Sequence, residues 1–539
     1  MTRVLILVIR FRIKGWLSTD IFKELTSFSN YIGRLQGFSV FEIDENKMKL
    51  NNYSPIDIME ILKGLENDII KDDLIEIEKY FKNYLGVKIK YDLKNLLLES
   101  KIYLKPYLED FAVKGKYNYS LRSYVFDPYV YEDLKKHLSS KGLIVDDETG
   151  IYLNSNFPRK LIFSGELRDY QKDAIEKWKQ NSNKGVIVLP TGAGKTIVAI
   201  SAISQLNVNT LIVVYTKEHI KQWEEAIKKF TDASGLIGTF YGEEKKIEPI
   251  TIITYQSAFR NIKLFAKDFK FLIFDEAHHL PAEKFKAIAL KMPSPFRMGL
   301  SATAVREDGK QEEIFPLIGG IVYQKSPSEL TSEGYLAPYI IRRIRVELSK
   351  DDMKRYDDLR KQYFVYAKGR TFEEILNSAK KGDFNAINAL KIKSQMQHVI
   401  QNSNAKLEKV IDLALSELKN GSKIIIFTQY KDQAEELANK LNAYLIHGSI
   451  DEKKRIETLK EFKEAKSAIL VVTTVGDEGL DIPDVNVGIF VSGTGSRRQF
   501  IQRLGRLLRP LPGKKSILYE IVVGRTSEEL QSKKRRSAL

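Results

Sequence analysis

The chain has 539 residues, with 86 Lys and Arg against 70 Asp and Glu, and no cysteine. Its length predicts about three or four domains, and its formal charge of +16 favours a polyanionic partner, nucleic acid ahead of a membrane surface. The absence of cysteine excludes disulfides and Cys-ligated zinc or iron–sulfur centres, and no apolar run reaches membrane-spanning length.

Residues 1–160 carry no catalytic signature. Val4 to Ile9 is too short to span a bilayer and reads as a strand. Phe38–Ile43 and Ile151–Leu153 also read as strands. Ser54-Pro55 and Asp127-Pro128 each precede a helical pattern, since proline suits the first helical position after a capping residue. The expectation is an α+β region, with a suspicion of two related units.

From Gly165 the pattern changes to strand–helix alternation. Leu167-Arg168-Asp169-Tyr170-Gln171 opens a helix. Val186–Leu189, Thr210–Tyr215, Thr251–Thr254 and Phe271–Phe274 are short apolar runs of the kind found in buried parallel strands. A second series comprises Lys423–Phe427, Ala468–Val472 and Val487–Val491. Two parallel-sheet α/β domains follow, over 161–335 and 336–525. Between the two series, about 351–402 is charged and helical in period. Its aromatic residues are interleaved with basic ones, and a solvated helical hairpin is the plain alternative. Residues 526–539 form a basic tail, with Lys533-Lys534-Arg535-Arg536 adding nonspecific phosphate attraction.

The chemistry starts at Pro190-Thr191-Gly192-Ala193-Gly194-Lys195-Thr196, between a strand and a helix. Glycines there let backbone N–H groups face a phosphate, and the helix N-terminus adds its dipole. Lys195 would reach the β- and γ-phosphates of ATP, and Thr196 would hold Mg²⁺. Leu189 stands where GxxxxGK[ST] has its first glycine. Phe271–Phe274 then runs into Asp275-Glu276-Ala277-His278-His279. Asp275 would bind Mg²⁺ through its hydration shell, and Glu276 would orient the attacking water. In the second domain, Gln499, Arg503, Arg506 and Arg509 recur at near-helical spacing. Arg506 and Arg509 suit arginine fingers, which neutralise charge on a transferred phosphoryl group.

These motifs, in this order, resemble superfamily 2 helicases: LRDYQ, PTGAGKT, DEAH, SAT, TTVGDEGLDIP and QRLGRLLR. DEAHHLPA, SATAVREDGK and GDEGLDIPDVNVGIFVSGTGSRRQFIQRLGRLLRP are similar to the XPB family of repair and transcription helicases, in its archaeal form. Ala277 replaces an expected Val, and Ser301 an expected Thr. The resemblance implies two RecA-like motor domains, a helical thumb at 351–402 and damage recognition by the N-terminal region. Gln502 would join Lys195, Asp275, Glu276, Arg506 and Arg509 in catalysis. Arg168, Gln171, Pro190 to Thr196, Gly479 and Asp481 would contact the nucleotide. Thr216, Ser301, Thr303, Thr473, Thr474 and Arg503 would contact DNA or couple it to hydrolysis. The same applies to Arg306-Glu307-Asp308, where the two carboxylates suit a wedge or latch better than a backbone contact. It further implies an intracellular, cytoplasmic ATPase acting on single-stranded, forked or damaged DNA, with a protein partner such as a nuclease. A clamp that uses ATP only to switch its grip on duplex DNA is the competing reading. An RNA helicase is weaker on likeness, and a restriction-type translocase would need nuclease residues that the sequence does not offer.

Overall fold

The computed structural model describes residues 9–153, 155–279, 283–302, 315–473, 485–491, 516–529 and 532. The chain divides into two compact units.

The first unit comprises 1–154 with two later pieces, 261–268 and 288–295. Its three-stranded antiparallel sheet has the order Arg10–Lys14, Phe38–Ile43, Ser29–Leu35. The first strand falls on RFRIK, and the strand expected at Val4–Ile9 lies almost wholly outside the described residues. RFRIK alternates: Phe11 and Ile13 are buried while the basic residues face water. Phe11 stacks on Phe41 with ring centroids 5.3 Å apart. The helix Pro55–Gly64 starts as expected, with a reciprocal cap between Ser54 and Asp57.

A five-stranded sheet follows, ordered Lys116–Asn118, Ser123–Phe126, Leu96–Ser100, Gly86–Tyr91, Ile144–Asp147. The two sheets differ in size and order, so the suspected repeat is not borne out by their topology. The strand expected at Ile151–Leu153 is a turn. Tyr152 has φ +67° there, which breaks an extended run, and its N–H donates to the Lys267 carbonyl at 2.7 Å. Within the same unit, Lys291 Nζ donates to Asp127 Oδ1 at 2.6 Å and to Asn95 Oδ1 at 3.2 Å.

The second unit holds two RecA-like parallel sheets. The first has eight strands, ordered Glu244–Lys245, Ile237–Tyr241, Ile250–Thr254, Thr210–Val214, Phe271–Phe274, Phe296–Ser301, Lys184–Val188, Ile321–Gln324. Only the hairpin that pairs Glu244–Lys245 with Ile237–Tyr241 is antiparallel. Thr210–Val214 and Phe271–Phe274 are buried along their whole length, as their unbroken apolar sequences demand. The sheet places Phe271–Phe274 and Phe296–Ser301 between Lys184–Val188 and Thr210–Val214. The chain crosses over both as it leaves the glycine loop, and such a crossover opens a crevice at the strand C-termini.

The second sheet is parallel throughout, ordered Tyr339–Val346, Ser516–Val523, Val487–Phe490, Lys423–Thr428, Ala468–Thr473, Tyr444–Ile446. Between its first strand and the helix Asn404–Lys419 lie three helices: Lys350–Ala367, Phe372–Lys380 and Phe384–Gln401. This insertion is a three-helix packet, one helix more than a hairpin. Ser349, Thr371 and Asp383 cap the three N-termini, and Tyr356, Ile392 and Met396 share a small core. Phe364 and Phe372 remain exposed, and Lys393 Nζ lies 3.4 Å from the Phe372 ring centre.

A buried ion pair braces this domain. Lys406 is fully buried; its Nζ donates to Glu528 Oε1 at 2.6 Å and to the Val491 carbonyl at 2.7 Å. Glu528 Oε2 also accepts from the Val523 N–H at 2.9 Å. Lys406→Met leaves Glu528 buried without its cation, so we expect a loss of about 3–5 kcal/mol. Urea denaturation should show it, and adding Glu528→Gln should recover part of the loss.

Candidate active site

Each part of the crevice follows from local sequence. Lys184–Val188 ends at Leu189-Pro190, and the loop turns on Gly192 (φ +85°) and Gly194 (φ +76°), conformations that favour glycine. A Cβ on Gly194 would also lie 2.5 Å from Gln171 Nε2. Leu189 is fully buried and its φ is not positive, so this position has no need of the glycine that GxxxxGK[ST] places there. Its N–H donates to the Ser301 carbonyl at 3.0 Å, which ties the loop to the end of the neighbouring strand.

Lys195 and Thr196 begin the helix Lys195–Leu206, with Gly194 as its left-handed cap. The first N–H groups of a helix have no intrahelical partners, and the glycine loop turns them to a phosphate. Lys195 Nζ donates to the Leu189 carbonyl at 3.0 Å, back to the start of the loop.

The LRDYQ element supports this loop from behind. Tyr170 Oη donates to the Ala193 carbonyl at 2.7 Å, and Gln171 Nε2 to the same carbonyl at 3.0 Å. Gln171 Oε1 accepts from the Arg168 N–H at 2.9 Å, and Arg168 Nη1 donates to the Tyr335 carbonyl at 3.2 Å. In this structure Gln171 is buried and bonded to the loop backbone.

Asp275 and Glu276 follow the buried strand Phe271–Phe274. Glu276 has φ +49°, a left-handed strain that non-glycine residues rarely carry. Asp275 is held at four points. Its N–H donates to the Val213 carbonyl at 2.9 Å, and its own carbonyl accepts from Tyr255 Oη at 3.0 Å. Its Oδ1 accepts from the Glu276 N–H at 3.0 Å, and its Oδ2 from Trp223 Nε1 at 2.8 Å.

The two carboxylates are pushed apart electrostatically. Burial and the neighbouring Glu276 charge raise Asp275, against the pull of His219, Trp223 and Lys195. Burial also opposes the charge on Glu276, but His278, with Nδ1 3.2 Å from Glu276 Oε2, and Lys195 outweigh it. Glu276 therefore titrates below the usual carboxylate range, which suits a group that must stay ionised to orient water.

The donor set fits a nucleotide triphosphate and Mg²⁺. It offers a helix N-terminus, one ammonium, one hydroxyl and hard carboxylate oxygen. No cluster of three or more His, Cys, Asp or Glu able to hold a metal occurs among the described residues. Magnesium needs none, because phosphates and water complete its shell around one or two carboxylates.

Of the DNA-facing candidates, Thr216 caps the helix Lys217–Phe230, and its Oγ1 accepts from the His219 N–H at 3.3 Å. Ser301 ends its strand, nearly buried beside the loop, and Thr473 ends the strand Ala468–Thr473. Thr303, Arg306, Glu307, Asp308, Thr474, Gly479, Asp481, Gln502, Arg503, Arg506 and Arg509 lie outside the described residues. Nothing in the motifs assigns a site role to Trp223, Tyr255 or Tyr170. Trp223 looks like a core residue, and only its place seven residues past Thr216, two turns along one helix, hints otherwise.

Two family models match: type III restriction enzyme, res subunit, over residues 164–306, and helicase conserved C-terminal domain over 405–510. The chain is 38% identical over 431 residues to "DNA 3'-5' translocase XPB2" of Sulfurisphaera tokodaii, covering 78% of this chain and 95% of that protein. It is 31% identical over 409 residues to "Putative DNA 3'-5' helicase Rad25" of Halobacterium salinarum, covering 75% of this chain and 61% of the relative. It is 29% identical over 407 residues to "General transcription and DNA repair factor IIH helicase/translocase subunit XPB" of Enterocytozoon bieneusi, covering 70% and 62% respectively. The chain thus spans nearly all of the first relative and about three-fifths of the other two. With the motif order, the paired parallel sheets and this crevice, it belongs to the XPB family of superfamily 2 helicases.

Proposed function

We propose that this protein is an ATP-driven DNA translocase and helicase moving 3′ to 5′, serving repair, transcription or both. The observation that carries this reading is one crevice in which a glycine loop with Lys195 faces the strained Asp275-Glu276 turn. Lys195 neutralises the β- and γ-phosphates of ATP. Glu276, ionised and held by His278, orients the water for in-line attack on the γ-phosphoryl group. Thr196 and Asp275 would hold Mg²⁺, which supplies positive charge at the phosphates. Arg506 and Arg509 complete the charge from the second motor domain. Closure of the two domains on ATP, relaxed after hydrolysis, then moves the protein along DNA.

Thr216, Thr473 and Thr474 contact backbone phosphates and confer no sequence preference. Arg306-Glu307-Asp308 acts as a wedge or latch at the fork. A protein partner fits the role of the relatives named as factor IIH subunits, and a nuclease is one candidate. No described helix is long and apolar enough to cross a membrane.

The test is ATPase activity with single-stranded, duplex, forked and bubble DNA, alongside unwinding of forks tailed at 3′ or 5′. The reading requires stimulation by DNA and unwinding of the 3′-tailed fork. Equal turnover with and without DNA would contradict it. DNA affinity should also fall steeply with salt. With about six phosphates contacted, the log–log slope on single strands is near −4. Titration at five salt concentrations measures it, and a flat response would mean that the +16 charge is not directed at nucleic acid.

A further inference from the structure

Trp223 is 2% exposed, and its one polar atom, Nε1–H, donates to Asp275 Oδ2. A buried indole N–H needs an acceptor, but a neutral backbone carbonyl would serve. Here the acceptor is the carboxylate assigned to the metal. The bond occupies one of its two oxygens and fixes the plane of the other. Tyr255, 1% exposed, holds the same residue by its backbone carbonyl at 3.0 Å. Trp223 and Tyr255 come from the helices that follow the two adjacent strands Thr210–Val214 and Ile250–Thr254.

The helix that carries Trp223 begins at the Thr216 cap. His219, one turn before Trp223, is near enough to act on both Asp275 and Glu276, and its buried Nδ1 finds no hydrogen-bond partner among the described residues. One rigid rod thus has its cap at the proposed DNA contact and its first and second turns, at His219 and Trp223, at the two carboxylates.

We propose that Trp223 is a positioning residue: its indole N–H sets the Asp275 carboxylate for Mg²⁺–nucleotide and links that setting to the DNA-facing end of its helix. The inference rests on the nucleotide-site reading above. Trp223 acts through Asp275, the acceptor of its one polar atom. Partners that orient a metal ligand in this way typically contribute about 10–100-fold in metal affinity or activity.

The test uses the full chain and two replacements. Trp223→Phe keeps a ring and removes the donor. Benzothienylalanine at position 223, the sulfur isostere, removes the donor with the indole shape kept, and decides the matter if the phenylalanine variant folds poorly. Binding of a fluorescent ATP analogue is titrated with Mg²⁺, and ATPase is measured with and without DNA. We expect the Mg²⁺ concentration for half-maximal nucleotide binding to rise about 10-fold or more. We expect the stimulation of ATPase by DNA to shrink, with the melting transition of the isostere unchanged. An unchanged Mg²⁺ dependence in the folded isostere would overturn the proposal and leave Trp223 as core filling. A wild-type protein whose nucleotide binding ignores Mg²⁺ would instead overturn the nucleotide-site reading itself.

Discussion

Lys195→Ala removes ATP hydrolysis, with turnover down by about 10³-fold, at the upper end for losing one donor aimed at developing charge. In the structure Lys195 Nζ rests on the Leu189 carbonyl, and its charge pulls on both Asp275 and Glu276. Alanine therefore removes the cation for the β- and γ-phosphates and also one that favours the ionised pair. The variant should keep its fold, because Tyr170 and Gln171 still brace the loop through the carbonyls of Ala193 and Gly194 after the bond from Lys195 to Leu189 is lost. DNA affinity should stay within about twofold of wild type, since the backbone contacts assigned to DNA lie elsewhere. A coupled ATPase assay with DNA-binding anisotropy on one preparation checks both halves. Normal turnover would dismiss the glycine loop as the phosphate site.

Arg506→Ala and Arg509→Ala should each slow hydrolysis by a factor on the order of 10³, the lower end for a lost arginine finger. ATP binding should persist, because the described half of the site, from Gly192 to Thr196 with Asp275 and Glu276, is built within the first motor domain. The expected signature is a fall in kcat with little change in nucleotide affinity. Weaker ATP binding with normal turnover would assign these arginines to grip on the ground state.

Where sequence and structure agree, the reason is backbone physics. Phe271–Phe274 and Thr210–Val214 announce themselves because a strand buried on both faces must be apolar throughout. The loop Gly192–Gly194 is legible because positive φ favours glycine. Ser54-Pro55 marks the start of its helix for an equally local reason.

What stayed hidden depends on contacts between distant parts of the chain. Trp223 and Tyr255 read as core residues, and only the folded sheet brings them to Asp275, 52 and 20 positions away. Gln171 reads as a nucleotide contact, and its bonds to the loop backbone, which the sequence does not signal, come in addition to that expectation. The pieces 261–268 and 288–295 sit within a motor-domain sequence, and nothing local signals that they fold with the first unit. The more apolar run before RFRIK draws the strand reading away from it, although alternation with buried Phe11 and Ile13 is the better strand signal.

Movement along DNA defines a translocase, and displacement of a triplex-forming strand from duplex DNA measures it without requiring strand separation. Displacement should need hydrolysable ATP, stop in Lys195→Ala and slow with salt. DNA-stimulated hydrolysis with the third strand left in place would contradict it, and would make the protein a clamp that only switches its grip.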